Sequence, residues 1–303
     1  MRIGLDSEKS SVSIRMRTLF GLKEVAKVGV NVEEEVVKKA VEALASAMRD
    51  DPSSLVKHEA AYVLGQTENP LAVKYLEGTL SDIGEDPMVR HEAAEALGAI
   101  ASPDCVEILE RYGSDEEQVV RETVEIALMR IAQKSGEKEL TTTEHPIYKS
   151  VDPAPALNES DGVEKYREML LNRKLPLYDR YRGMFSLRNL SSTDPRAVQA
   201  LCEGFVDNSA LFKHELAYVL GQVQSPDSVK ALSKVLFDQN EHEMVRHEAA
   251  EALGSIGTRE TNEILAGFLK DKADVVRESC EVALDITEYN QSDQLNYADT
   301  ISR

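Results

Sequence analysis

Tryptophan is absent from this 303-residue chain, aromatic residues make up only 5% of it, and the three cysteines, Cys105, Cys202 and Cys280, lie far apart. An odd number of cysteines without a CxxC spacing argues against a disulfide framework and indicates a reducing compartment. No run of about 18 apolar residues occurs, which excludes a transmembrane helix, and the N-terminal MRIGLDSEKSS lacks the apolar stretch of a signal peptide. We therefore expect a cytoplasmic location, with nuclear access as an open alternative.

Positive charge is also scarce, since 35 Lys and Arg stand against 54 Asp and Glu and the formal net charge is −19. This balance argues against nucleic acid and anionic membranes as partners and favours a cationic partner. The chain has no GxSxG element, P-loop or GxGxxG loop, so nothing indicates a flavin or nicotinamide site. With 42% apolar residues, the chain can still form packed cores, and its length suggests two domains.

The chain does contain an internal repeat, which is carried by four similar segments. They are VKHEAAYVLGQ from Val56, VRHEAAEALGA from Val89, FKHELAYVLGQ from Phe212 and VRHEAAEALGS from Val245. Their histidines are 33 positions apart within each pair and 156 positions apart between the pairs. The related VVRETVEIALMRI and VVRESCEVALDIT keep the same offset of 156. A block of four related units was therefore duplicated as a whole.

Each unit has helical periodicity. In VRHEAAEALGAI, the apolar residues Val89, Ala93, Leu97 and Ile100 lie at i, i+4, i+8 and i+11 on one helix face. A turn and a second amphipathic stretch follow, and units of two helices predict a stacked α-solenoid. We expect an all-α fold with eight helical hairpins in two pseudo-two-fold related blocks of four. The expected divisions are an N-terminal block at 1–134, a flexible linker at 135–162, a C-terminal block at 163–290 and a polar tail at 291–303.

Five of the six histidines are followed by glutamate, but only four of these pairs share one position of one helix type. His242 falls in a loop and His145 in the linker, where we interpret both as solvated surface residues. Equivalent helices of stacked hairpins lie about 8–10 Å apart, so the registered pairs should converge on an inner surface. These pairs are His58-Glu59, His91-Glu92, His214-Glu215 and His247-Glu248.

Metal binding explains why eight polar side chains would share an inner surface. A lone His-Glu pair on a helix is usually a surface pair, whereas burying eight polar groups without partners would cost about 2–7 kcal/mol each. Imidazole together with carboxylate suits iron, manganese or zinc. The two-fold arrangement predicts two metals, one for each half, with all eight residues as candidate ligands.

Other residues share the register of these histidines. Glycines follow seven residues later and predict either a groove for an extended substrate side chain or close helix packing or helix termination: Gly65, Gly98, Gly221 and Gly254. Four residues after the histidines lie Tyr62, Glu95, Tyr218 and Glu251. The tyrosines could hydrogen-bond groups behind the ligands or lie on an amphipathic rim, and the glutamates could attract a cationic substrate or pair with nearby Arg or Lys.

The segments KHEAAYVLGQ, VRHEAAEALGAI, KHELAYVLGQ and VRHEAAEALGSI resemble the four HE motifs of the deoxyhypusine hydroxylase family, which belongs to the HEAT-like repeat proteins. The resemblance covers nearly the whole chain and implies a HEAT-like α-solenoid. It implies that Glu59 and Glu215 act nearer the substrate amines or behind the ligands. It also implies two iron ligand sets, His58, His91 and Glu92 for one iron and His214, His247 and Glu248 for the other.

The resemblance further implies a di-iron monooxygenase that uses two Fe²⁺ per chain, O₂ and an external reductant. Its substrate would be the deoxyhypusine side chain of the eukaryotic translation initiation factor 5A precursor. The alternatives are a non-catalytic HEAT-repeat scaffold and a bilin-lyase-like binding protein. A scaffold has no need of four registered His-Glu pairs, which favours the hydroxylase.

Overall fold

The computed structural model describes residues 5–7, 9–136, 148–157 and 161–291, with only the backbone considered for 289–291. These residues form fifteen α-helices and contain no strand, which confirms the predicted all-α class. Contacts separate two compact units, and the division within the first 288 residues falls between 138 and 139. His145 and most of the predicted tail lie outside the described residues.

The described residues up to 136 in the first unit form seven α-helices. They are α1 Val12–Ala26, α2 Glu34–Asp50, α3 Ser54–Gln66, α4 Val73–Ser81, α5 Pro87–Ile100, α6 Pro103–Glu110 and α7 Gln118–Lys134. The described helices that follow are α8 Gly162–Leu171, α9 Leu177–Leu190, α10 Arg196–Glu203, α11 Ala210–Val223, α12 Val229–Phe237, α13 Glu243–Ile256, α14 Arg259–Ala266 and α15 Asp274–Gln291, and they belong to the second unit up to residue 288.

The helices pair into hairpins as the repeat predicts. Among consecutive helices, α2 packs on α3, α4 on α5 and α6 on α7 in the first unit, and α8 packs on α9, α10 on α11 and α12 on α13 in the second. The segments VVRETVEIALMRI and VVRESCEVALDIT lie in the long helices α7 and α15, and α14 directly precedes α15. The described helices therefore follow the expected series of hairpins.

Equivalent helices of successive hairpins pack side by side, α3 against α5 and α5 against α7 in the first unit, and α11 against α13 in the second. Their shared faces bury apolar side chains such as Leu64, Val89, Leu97, Leu220 and Leu253. Burial of a leucine or valine contributes about 1.5–3 kcal/mol. These contacts place the helices that carry the His-Glu pairs next to one another.

Local capping fixes where those helices begin. The side chain of Ser53 accepts from the backbone N–H of Val56 at the start of α3, and Ser209 does the same for Phe212 at the start of α11. Asp86 caps α5, with Pro87 in the first turn. Each site histidine is consequently the fifth residue of its helix. The caps thus place the four imidazoles at the same distance from the N-termini of their helices.

An arginine contact that recurs along the chain joins neighbouring repeats within each half. In each case, the arginine donates from Nε to a carbonyl ten residues earlier and from Nη2 to an aspartate 25 to 27 residues later. Arg90 pairs with Asp115 at 2.6 Å, Arg180 with Asp207 at 2.7 Å and Arg246 with Asp271 at 2.6 Å. The hydrogen bond from the Arg246 guanidinium holds the pKa of Asp271 below its usual value.

Part of the predicted flexible linker packs on the second unit. Arg188 forms two bonds to the carboxylate of Asp152, at 2.9 and 2.6 Å. The backbone carbonyl of Pro155 accepts from Arg182, and Ala154 is fully buried. Residues 148–157 are therefore held in place by ion pairing and burial, although their composition favours a flexible segment. Among the described helices, none has the length and apolar content to cross a membrane.

Candidate metal centre

In the first unit, the adjacent helices α3 and α5 bring His58 and His91 together, with ring centroids 5.5 Å apart. His58 Nδ1 lies 3.2 Å from Glu59 Oε1, and its Nε2 lies 3.2 Å from Glu92 Oε2. Burial alone would lower the pKa of the His58 imidazole, but the hydrogen bonds to Glu59 and Glu92 outweigh this effect and hold that pKa well above its ordinary value. The two carboxylates thus provide a strongly anionic, buried surrounding for the imidazole.

His91, Glu92 and Glu95 form a compact donor group on α5. One ligand atom from each residue lies within 4.8 Å of the others, and both His91 and Glu92 are buried. Residues three and four positions apart lie on one side of a helix, which explains the place of Glu95. This residue was predicted to attract substrate, and its carboxylate lies close enough to join a ligand group.

The second unit repeats the histidine pair on α11 and α13. His214 and His247 have ring centroids 5.3 Å apart, and His214 Nε2 lies 3.3 Å from Glu248 Oε2. Ligand atoms of His214, His247 and Glu248 all lie within 4.8 Å of one another, and all three residues are buried. This is the triad that the resemblance implies for one metal. Glu215, the fourth member of the predicted set in this unit, is buried as well.

The four registered glycines lie at contacts between neighbouring helices. A Cβ on Gly65 would lie 2.8 Å from Ala96 Cα, and one on Gly98 would lie 2.9 Å from Ala127 Cα. Gly221 faces Ala252 and Gly254 faces Ala283 in the same way. Close helix packing, one of the two interpretations of these glycines, accounts for all four. The close approach of α3 to α5 and of α11 to α13 also sets the spacing of the histidines they carry.

The two predicted tyrosines have different surroundings. Tyr218 accepts a hydrogen bond of 3.0 Å from Gln222 Nε2, and the ring of Tyr62 lies 6.4 Å from that of Phe20. Glu251 lies one helical turn after His247, where its Oε1 is 3.7 Å from His247 Nδ1 and accepts from Ser279 Oγ at 3.1 Å. A role for the tyrosines behind the ligands stays a prediction.

Ser279 was not among the predicted site residues. It is fully buried on α15, and its Oγ lies 3.5 Å from His247 Nδ1. The available signal was a hydroxyl at the equivalent position of each half, Thr123 and Ser279, which are 156 residues apart. That signal could not be separated from ordinary helix composition because the contact joins residues 32 positions apart.

His242 lies apart from the histidine pairs. It is the N-cap residue of α13, and its Nδ1 accepts from the backbone N–H of Met244 at 3.2 Å. This contact satisfies one of the free N–H groups at the helix N-terminus. The histidine of this fifth His-Glu dipeptide therefore caps a helix.

The donor atoms fit a metal ion in both units. The first unit offers His91, Glu92 and the half-buried Glu95, and the second offers the buried His214, His247 and Glu248, each group with ligand atoms within 4.8 Å of one another. Imidazole with carboxylate suits iron, manganese or zinc, and three protein ligands would leave positions open on a bound metal. The thiols do not belong to these groups, and burial raises the pKa of Cys280 to about 12.

Known proteins share both the repeats and the length of this chain. A family model of HEAT repeats matches residues 41–129 and 198–285. A deoxyhypusine hydroxylase of Gibberella zeae is 46% identical, with 98% of this chain and 91% of the relative covered. The Danio rerio deoxyhypusine hydroxylase is 44% identical, with coverage of 99% and 94%.

The solved structure of human deoxyhypusine hydroxylase in complex with glycerol superposes with a TM-score of 0.76 at 40% identity, covering 91% of this chain and 98% of that one. Similarity of this extent includes both halves and all four His-Glu segments. It therefore shows that this chain belongs to the deoxyhypusine hydroxylase family, enzymes that hydroxylate deoxyhypusine.

Proposed function

We propose that this enzyme is an iron-dependent monooxygenase that hydroxylates the deoxyhypusine side chain of the eukaryotic translation initiation factor 5A precursor. The observation that carries the proposal is the buried group of imidazole and carboxylate donors in each unit of a deoxyhypusine hydroxylase. The cofactors would be two Fe²⁺ per chain, with O₂ and an external reductant as co-reactants. We further propose a cytoplasmic location.

The proposed ligands are the two sets that the resemblance implies. His58, His91 and Glu92 would hold one iron, and the other would be held by His214, His247 and Glu248. The contact of His58 Nε2 with Glu92 at 3.2 Å supports the first set, and the ligand distances within 4.8 Å support the second. Glu95 is an additional carboxylate beside the first set.

Bound iron would supply the reduction of O₂ that makes a C–H bond reactive. The protein's own residues would hold the ligand atoms, limit water and keep the substrate arm in place. Burial of the donors supports this role, because exclusion of water strengthens electrostatic interactions and suppresses side reactions. Glu59 and Glu215 supply buried carboxylates next to the proposed histidine ligands. They would either bind the amines of the substrate arm or support the histidines from behind, and the 3.2 Å contact of Glu59 with His58 Nδ1 favours the second role for Glu59.

The charge of the chain fits this substrate. Deoxyhypusine carries amines that are protonated at neutral pH, and the enzyme has a net charge of −19. Opposite charges raise the rate of association at low salt. We therefore propose electrostatic attraction between the enzyme and a cationic protein segment that bears deoxyhypusine.

The test is an assay for hypusine formation on a precursor protein that bears deoxyhypusine. The iron-loaded enzyme with a reductant and O₂ should produce hypusine, and removal of iron by a chelator should abolish the activity until Fe²⁺ is restored. Activity that persists after complete iron removal would contradict the metal assignment. A failure of iron-replete, folded enzyme to act on this precursor would contradict the substrate assignment.

A further inference from the structure

His247 has a distinct set of neighbours on its Nδ1 side. Ser279 Oγ on α15 lies 3.5 Å from this nitrogen, and Glu251 Oε1, one turn further along α13, lies 3.7 Å from it. Ser279 also donates to Glu251 Oε1 at 3.1 Å. His247 and Ser279 are both fully buried. Two helices therefore converge on one edge of the imidazole.

The hydrogen bonds of Ser279 favour one tautomer of the His247 imidazole. The single hydroxyl proton of Ser279 is donated to Glu251, so the lone pairs of its oxygen face the Nδ1 of His247. A neutral imidazole with its proton on Nδ1 matches this acceptor, and Nε2 is then the nitrogen with a lone pair for a metal. Hydrogen bonding at one ring nitrogen commonly fixes the tautomer and orientation of a ligating histidine.

The equivalent positions of the first unit are used differently. Thr123, which corresponds to Ser279, donates its hydroxyl proton to the carbonyl of Val119 on its own helix at 2.8 Å. Glu95, which corresponds to Glu251, lies with His91 and Glu92 in a group of metal-ligand type. The two halves therefore use this hydroxyl position differently, since Ser279 lies beside the histidine and donates to Glu251, whereas Thr123 donates within its own helix.

We propose that Ser279 and Glu251 are positioning residues that hold His247 with Nδ1 protonated and Nε2 directed to the metal. The inference rests on the proposed function, because it needs a metal at the His214, His247 and Glu248 triad. It predicts that the affinity of one of the two metal positions depends on the Ser279 hydroxyl. The affinity of the other position should not depend on Thr123, whose hydroxyl donates to the Val119 carbonyl on its own helix.

The test is titration of the metal-free chain with Co²⁺, whose visible absorption reports ligand geometry. Ser279→Ala should weaken one of two bound Co²⁺ by about tenfold and alter the absorption of that ion, as loss of a hydrogen bond behind a ligand does in other metal sites. Ser279→Thr, which retains a hydroxyl, should restore most of the affinity. Glu251→Gln should give a smaller change in the same ion.

Thr123→Val is the matched control, because it removes a hydroxyl from the equivalent position of the first unit. Its two Co²⁺ affinities and absorption should equal those of the unchanged chain. The inference is overturned if Ser279→Ala and Glu251→Gln bind both ions as the unchanged chain does, or if Thr123→Val weakens binding equally. An unchanged chain that binds no Co²⁺ or Fe²⁺ would overturn the proposed function itself, and this inference with it.

Discussion

At the residue scale, His91 and His242 share the dipeptide His-Glu but differ in where their helices place them. His91 is the fifth residue of α5, where a full turn of helix precedes it and its neighbours Glu92 and Glu95 lie within ligand distance. His242 precedes α13 and uses Nδ1 to cap its N-terminus. Position relative to the helix start therefore separates a proposed metal ligand from a capping residue.

The first prediction compares these two histidines. His91→Ala should reduce bound iron from about two to about one ion or fewer per folded chain and abolish hydroxylation, because it removes a buried ligand. The measurement is iron content by atomic spectroscopy on protein shown to be folded by circular dichroism.

His242→Ala serves as the control. It should retain full iron content and lose only about 0.5–2 kcal/mol of stability, the usual contribution of an N-cap side chain. Equal iron loss in the two variants would show that the histidine register does not identify the metal ligands.

The sequence predicted the four site histidines because each occupies the same position in a repeated helix, so the duplication supplies a frame of reference. The contact of Ser279 with His247 and the position of Glu95 beside His91 and Glu92 were not predicted. Both depend on side-chain rotamers and on contacts between helices, and two equivalent residues such as Thr123 and Ser279 donate to different partners. A repeat pattern alone gives the two halves the same assignment and cannot report where they diverge.

At the element scale, Gly65 permits the close approach of α3 to α5, because its missing Cβ leaves room for Ala96. A methyl group there would lie 2.9 Å from Ala96 Cβ and 2.8 Å from its Cα, closer than two carbon atoms normally approach. The backbone of α5 must then move away from α3. That movement would separate His58 from His91, which belong to the same two helices.

The second prediction follows from this packing. Gly65→Ala should lower the free energy of unfolding by about 1–3 kcal/mol, the usual cost of overpacking, and should weaken metal binding in the first unit. Urea denaturation and Fe²⁺ titration are the measurements.

Gly78→Ala is a matched helical control on α4, where a Cβ meets no atom within 4 Å. This change should raise stability by about 0.5–1 kcal/mol because alanine favours helix over glycine. If Gly65→Ala were also stabilising and left metal binding intact, the close-packing explanation would be wrong.

The arginine contacts give the third prediction. The hydrogen bond from Arg246 lowers the pKa of Asp271 below the value of about 3.9 for an unfolded chain. The resulting stabilisation is present above that value and is lost as the pH falls through the lower pKa of the folded state. Asp271→Asn should destabilise by about 3–5 kcal/mol at pH 7, since it leaves the buried Arg246 without its carboxylate, and should flatten the decline between about pH 5 and pH 2.

Asp50→Asn is the comparison for this experiment. Asp50 also has a lowered pKa, caused first by its hydrogen bond to Arg49, but its side chain is 53% exposed. Exposed pairs contribute about 0–1 kcal/mol, so this change should be nearly neutral at pH 7. Chemical denaturation as a function of pH measures both variants, and a large effect of Asp50→Asn would contradict burial as the deciding factor.

At the scale of the whole molecule, the sequence predicted an all-α solenoid because its helical period and its 156-residue offset repeat over most of the chain. The repeat pattern alone did not show which neighbour each His-Glu helix pairs with; in the structure, α5 packs more extensively on α4 than on α6, and α13 more extensively on α12 than on α14. The packing of residues 148–157 was also missed. Its causes are the contacts of two buried arginines, Arg182 and Arg188, and the burial of Ala154, which override the polar composition that favours a flexible segment.

The last prediction concerns the net charge of −19. If this charge attracts a cationic substrate, kcat/KM for the deoxyhypusine-bearing precursor should fall by about tenfold or more as ionic strength rises from about 0.02 to 0.5 M, because the Debye length shrinks from tens of ångströms to a few. The value of kcat should change little, because ligands that are buried among protein atoms are screened much less. Iron content measured at both ends of the salt range controls for loss of metal, and a kcat/KM that is independent of salt in fully loaded enzyme would show that charge does not guide this encounter.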